Sequence, residues 1–231
     1  MIQEGAELLD LGGESTRPGS DYVDAEEEKR RVIPVLEALR RETNLPISVD
    51  TRKAEVAKAA IAAGADIIND VTALRDDPDL VKVVKDSGAG VILMHSRGTP
   101  KTMQQNPFYN DTIREIKEEL VLFASRAEEQ GIKREKIILD PGIGFGKRLQ
   151  DNLLILKHLE AFSSLGYPLL LGVSRKSFIG ALTGAQVEER LSGTLAANCF
   201  ALLKGIEILR VHDVKETAQA VKIFQAILGA E

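Results

Sequence analysis

Cysteine is almost missing from this chain of 231 residues. The one present, Cys199, excludes an intrachain disulfide framework and a cysteine-rich metal site. Its setting, Leu195-Ala196-Ala197-Asn198-Cys199-Phe200, reads as the packed face of a helix and predicts a buried structural thiol. Long apolar runs are missing too, since no segment approaches the ~20 residues a membrane helix needs. The N-terminus has neither a basic n-region nor a long h-region, so secretion is not indicated and a cytoplasmic location is expected. An excess of basic charge is also lacking. The net charge of −5 argues against broad attraction to nucleic acid or an anionic membrane, so any anion site must be local. The three histidines are scattered without ligand spacing, which excludes an all-protein zinc site. No linker, repeat or low-complexity tract divides the chain, and its 44% hydrophobic and 28% charged residues suit one globular domain over 1–231.

What is present is an alternation. Short apolar runs at 7–12, 46–51, 66–71, 90–95, 136–140, 169–174 and 208–213 read as strands. Between them, 24–42, 53–63, 78–87, 112–130, 151–162, 187–203 and 214–228 read as amphipathic helices. Asp24 with Glu27 three residues later resembles a capping box, and Gly64 is placed as a C-cap glycine. Continuous rather than alternating apolar strands imply a parallel sheet covered by helices. A doubly wound sheet and a TIM (β/α)8 barrel both fit. The barrel is favoured, because chemistry sits at the ends of most strands instead of at one switch point. Seven strands are countable and 1–5 reads as a helix tail. The expectation is therefore a barrel whose first β/α unit is absent from this chain.

The strand ends carry 12–19 (Gly-Gly-Glu-Ser-Thr-Arg-Pro-Gly), Asp50, Asn69-Asp70, His95, Asp140-Pro141-Gly142, Ser174-Arg175-Lys176 and Arg210-Val211-His212-Asp213. In a barrel they converge on one mouth. Asp50, Asn69 and Asp140 form an acceptor–amide–acceptor set suited to the edge of an aminopyrimidine. Lys176 can donate to a ring carbonyl or nitrogen, and Arg210 with His212, two residues apart on one face, can hold a phosphate-type oxyanion. Each group has a plainer reading. Asp50 and Asn69 are good helix caps, Asp140-Pro141-Gly142 is a good turn, and lysines such as Lys176 are usually solvated. His95 is expected in a supporting role, Met94 as pocket wall or core, and His158 on the surface. Glycines 142, 144 and 146 fit neither a P-loop, where Arg148 replaces the required Ser/Thr, nor the dinucleotide spacing. They are expected to fold a tight loop that places Phe145 at the mouth. The run 26–31, Glu-Glu-Glu-Lys-Arg-Arg, reads as a solvated helix face.

Six of these motifs in register resemble dihydropteroate synthase: 12–19, Ser-Val-Asp-Thr at 48–51, Ile-Ile-Asn-Asp-Val at 67–71, Asp-Pro-Gly-Ile-Gly-Phe-Gly-Lys at 140–147, Ser-Arg-Lys-Ser at 174–177 and Arg-Val-His-Asp at 210–213. The resemblance spans essentially the whole chain. It implies a TIM-barrel transferase of folate biosynthesis that joins 6-hydroxymethyl-7,8-dihydropterin diphosphate to p-aminobenzoate and releases pyrophosphate. Carried over, the pterin pocket falls on Asp50, Asn69, Asp140 and Lys176, with Asp50, Asp140 and Lys176 in the catalytic part. The pyrophosphate contacts fall on Arg210 and His212. The p-aminobenzoate side falls on Thr16, Arg17, Pro18, Phe145, Ser174 and Lys176, with Arg175 in support. The implied mechanism is dissociative, through a cationic pterin methylene. The resemblance also implies Mg2+ and a homodimer formed through barrel helices. The family's early Asn-Val-Thr-Pro-Asp-Ser-Phe motif, whose asparagine helps hold Mg2+, has no counterpart here, so no metal-holding residue is expected in this chain. Exposed strand edges, weak pterin binding and slow turnover are expected to follow. A pterin-binding methyltransferase domain is the nearest rival, but it is not expected to carry both the 12–19 and 174–177 motifs. A non-catalytic pterin-binding relative is the other.

Overall fold

The computed structural model describes residues 1–230. Strands β1 (Leu9–Gly12), β2 (Ile47–Asp50), β3 (Ile67–Asp70), β4 (Gly90–Met94) and β5 (Ile137–Asp140) form one parallel sheet in sequence order. A bridge from Leu139 to Leu169 passes the pairing on to β6 (Leu170–Leu171), which is parallel to β7 (Ile208–Leu209). Between the strands run α1 (Ala25–Glu42), α2 (Ala54–Ala62), α3 (Leu80–Ser87), α4 (Thr112–Glu129), α5 (Leu149–Lys157), α6 (Glu160–Ser163), α7 (Ser177–Thr183) and α8 (Leu191–Leu203), and α9 (Val214–Leu228) follows β7.

Seven strands laid flat at ~4.8 Å spacing would hold β1 and β7 about 29 Å apart. Instead Arg210, just past β7, places Nε 2.6 Å from Oδ2 of Asp10 on β1. The sheet therefore curls into a barrel. Among the described residues β7 and β1 do not pair with each other, and this ion pair spans the seam between them.

Burial sorts the two faces of the sheet. Ile47, Val49, Ile68, Val91, Leu93, Ile137 and Leu139 join the cluster packed beneath the helices. There they meet Val32 and Leu36 of α1 and Ile116, Leu120 and Phe123 of α4. The alternate residues Ile92, Met94 and Leu170 are buried but stand outside that cluster, on the inner face. Ser48, Asp50, Asn69 and Asp140 share that inner face, which makes the barrel interior polar toward its C-terminal end.

Several local expectations are revised. Asp24 caps α1 by accepting from the Glu27 N–H at 2.9 Å, but the Glu27 side chain turns to Arg30 and Arg31, so the capping box is only half made. In the charge run 26–31, Glu28 is fully buried and paired at 2.5 Å with Lys53, because it lies on the inward face of α1. Cys199 is half-buried, on a helix whose next residue, Phe200, faces solvent. The helix expected at 151–162 divides at His158, which is half-buried at the C-cap of α5, and α7 was not anticipated. Gly64 adopts the left-handed conformation expected of it.

Candidate active site

Parallel pairing sets Gly12, Asp50 and Asn69 level across β1, β2 and β3, and sets Asp140 opposite Met94 at the end of β5. Asp50 and Asn69 are buried at 6% and 4% exposure, which is costly for polar groups unless something pairs with them. Neither caps a helix: the first N–H of α2, at Ala54, is taken instead by Asp77 Oδ2 at 2.7 Å. Asp140 Oδ1 accepts from the Gly142 N–H at 2.7 Å, so one oxygen makes the turn and the other stays free of that duty.

The cations approach from the far wall. Arg210 donates through Nη2 to Asp50 Oδ2 at 3.0 Å while Nε holds Asp10. Asp10 also accepts from Ser48 Oγ at 2.5 Å. Lys176, half-buried, donates to the Ile143 carbonyl, and its ammonium lies 4.8 Å from the centre of the Phe145 ring. Gly172 lies beside both side chains: a Cβ built on it would stand 3.8 Å from Arg210 Cβ and 4.0 Å from Lys176 Nζ, at ordinary contact distances. His212 and Ser174 meet through Nδ1 and Oγ at 2.9 Å. Arg175 turns aside into a bidentate pair with Asp213.

Electrostatics couple these groups. Burial, reinforced by Asp10 and opposed by Arg210, pushes Asp50 up to about 7. Burial also raises Asp140, against the pull of Lys176 and the Gly142 N–H. Burial lowers Lys176 to about 8, with Asp140 opposing. His212 is lowered by burial and then by Arg175, and the charge of Arg17 also reaches it. Thr16, Arg17 and Pro18 lie on an otherwise open loop after β1, pinned where the Gly19 N–H meets the Pro100 carbonyl at 2.9 Å.

The structure thus brings Asp50, Asn69, Asp140, Lys176, Phe145, Arg210, Ser174 and His212 to one mouth, with the 16–18 loop beside it. Sequence reasoning missed Asp10. Its signal was an acidic residue inside an apolar strand, two positions before Gly12 and therefore on the same face. Two shallow depressions, lined by Pro34 and Val35 and by Asp24 and Arg30, lie on α1 and gather no such chemistry.

A family model described as "Pterin binding enzyme" matches residues 1–212. Dihydropteroate synthase of Escherichia coli strain K12 is 46% identical over 231 residues, covering all of this chain and 82% of that one. The Yersinia pestis dihydropteroate synthase in a sulfonamide drug complex superposes with a TM-score of 0.97 at 42% identity, over 99% of this chain and 83% of that one. The Xanthomonas albilineans enzyme with 4-aminobenzoic acid gives 0.95 at 47% identity, over 100% and 82%. Likeness at this level fixes the fold as a TIM barrel, and the chain belongs to the pterin-binding enzymes, in the dihydropteroate synthase family.

Proposed function

We propose that this chain condenses 6-hydroxymethyl-7,8-dihydropterin diphosphate with p-aminobenzoate to give 7,8-dihydropteroate and pyrophosphate, as a transferase of folate biosynthesis. The observation that carries the reading is the convergence of Asp50, Asn69, Asp140 and Lys176 on one end of the barrel. The carboxylates accept from ring N–H and exocyclic NH2 groups, Asn69 both donates and accepts, and Lys176 donates to the ring from the opposite side. Arg210 and His212 take the diphosphate. The aromatic acid lies against Phe145, Ser174, Lys176 and the loop of Thr16, Arg17 and Pro18, with Arg175 braced behind by Asp213.

In the chemical step the methylene C–O bond breaks and its electron pair leaves with pyrophosphate. The aniline nitrogen then bonds to the methylene carbon and gives up a proton. Asp50 and Asp140, buried and incompletely compensated, favour the cationic pterin over its neutral precursor. Among the described residues no group of three His, Cys, Asp or Glu gathers in metal-binding geometry, and Arg210 already holds Asp10 and Asp50. These residues do not fit a resident Mg2+, so we propose that Mg2+ arrives as the counter-ion of the diphosphate.

A methyltransferase reading lacks support beside relatives that are synthases. A pyrophosphate-release assay run alongside pterin calorimetry tests the remaining rival. Release that requires both substrates is expected; binding without release would leave a non-catalytic relative. We place the reaction in the cytoplasm; no helix among the described residues is long and apolar enough to cross a membrane. We also propose a homodimer. Phe200 and Leu203 on α8, with Ile223 and Ile227 on the adjoining α9, expose apolar side chains that a second copy can cover.

A further inference from the structure

Lys147 ends the loop that carries Phe145 and is not among the groups assigned to either substrate. The residue is 3% exposed, yet among the described residues no carboxylate reaches its ammonium. Three other acceptors take its three N–H groups: the Phe145 carbonyl at 3.0 Å, the His95 carbonyl at 3.2 Å and His95 Nδ1 at 2.9 Å. An ammonium has three donors and no acceptor, so the set is complete. His95 follows β4 and Phe145 follows β5, so one buried cation ties two neighbouring strand ends together.

The facing groups support that geometry. His95 Nε2 lies 3.1 Å from Glu119 Oε2 on α4, and Arg97 holds Glu119 in turn. Burial, then Lys147, lowers His95 to about 4 and keeps its ring a neutral acceptor. Burial lowers Lys147 to about 7, with Lys176 and Arg97 acting in the same direction and Asp140 and Glu119 opposing. The backbone has no slack. With φ of 68° and 65°, a Cβ on Gly142 would lie 2.0 Å from the His95 carbonyl oxygen, and one on Gly146 would lie 2.4 Å from that of Arg97. The loop held this way presents the Ile143 carbonyl to Lys176 and sets the Phe145 ring beside the same ammonium.

We propose that Lys147 is a positioning residue for the p-aminobenzoate side of the site: it ties the Phe145 carbonyl to the backbone and ring of His95 and so fixes the Phe145 ring against Lys176. The inference rests on the reading of Phe145 as a wall for the aromatic substrate. Lys147→Met keeps the side-chain length and removes all three donors. The KM for p-aminobenzoate is expected to rise about tenfold, the scale of one aromatic contact, while pterin diphosphate affinity by calorimetry stays within about twofold. Because Lys147 acts through Phe145, adding Lys147→Met to Phe145→Leu is expected to raise that KM less than about twofold further. If Lys147→Met fails to fold, Lys147→Gln, which keeps two donors, is expected to show the same split at smaller size. An unchanged KM, an equal loss of pterin affinity, or fully multiplicative penalties in the double variant overturns the proposal. A wild-type chain that releases no pyrophosphate overturns the functional reading and this inference with it. Wild-type turnover with an unaffected Lys147 variant overturns the inference alone.

Discussion

Replacing Asp140 by Asn separates the binding role of this carboxylate from its cost to the fold. The carboxylate is 7% exposed, and one oxygen is committed to the Gly142 N–H at 2.7 Å. An asparagine that keeps this bond must turn its NH2 toward the ligand, placing donor against donor where the acid accepted from a pterin N–H. Loss of a buried charged acceptor costs about 2–4 kcal/mol, or roughly 30- to 900-fold in pterin affinity. Stability should move the other way. Asp140 has its pKa raised in the fold, so the folded state binds its proton more readily than the unfolded chain does. Above the folded pKa the ionised group therefore weakens the fold, and a neutral amide removes that penalty. The expected result is a sharp loss in calorimetric affinity for the pterin diphosphate with a melting temperature no lower than wild type. Affinity within about threefold of wild type would remove Asp140 from the pocket, and a loss of both affinity and stability would make its role structural.

Pterin affinity should peak between about pH 7 and about pH 8, falling below as Asp50 takes a proton and above as Lys176 loses one. Calorimetry that shows constant affinity from about pH 5.5 to about pH 9.5 would refute both assignments. Lys53→Met strands Glu28, which is fully buried and already has Oε1 without a partner, and should cost about 3–5 kcal/mol in denaturant unfolding. A loss under about 1 kcal/mol would mean that Glu28 does not depend on that ammonium. Sedimentation at micromolar concentration should give twice the chain mass, and Leu203→Glu, at the exposed patch of α8, should return it to the monomer. A wild-type monomer, or a dimer indifferent to Leu203→Glu, counts against that face.

The proposed pterin side was legible because parallel strands bring their C-terminal ends to one rim, so Asp50 and Asn69 had to be neighbours once both ended strands. Asp10 escaped because it lies inside its strand rather than after it, and only the pairing with β2 shows that it faces Ser48. Glu28 was hidden by its company. An acidic and basic run looks solvated throughout, although a helix must turn one residue in three or four inward. Lys147 closed a motif whose glycines drew attention to Phe145, and nothing in the sequence marked its ammonium as buried. The loop proposed for p-aminobenzoate was legible as a motif only, because Arg17 and Pro18 are exposed and little of the chain packs against them. Strands β6 and β7 proved much shorter than their apolar runs, and past β6 the Ser174 hydroxyl bonds to His212 at the mouth.

The charges at the mouth share one physical feature that bears on mechanism. Burial pushes both carboxylates up and Lys176 down, so the site without substrate holds each group against its own solvation. Arg210 relieves part of this by lying between Asp10 and Asp50. Under the proposed assignment of Arg210 to the diphosphate, the ligand competes for the same guanidinium, and to the extent that Arg210 turns to it, Asp50 loses its cation. In the proposed reaction, the positive charge that develops on the pterin as the C–O bond breaks then supplies Asp50 with a counter-charge. That interaction is stronger in the transition state than in the bound substrate, which is what accelerates a chemical step. On this account the phosphate arm does more than hold the leaving group: it leaves Asp50 uncompensated when the neighbouring ring needs an anion.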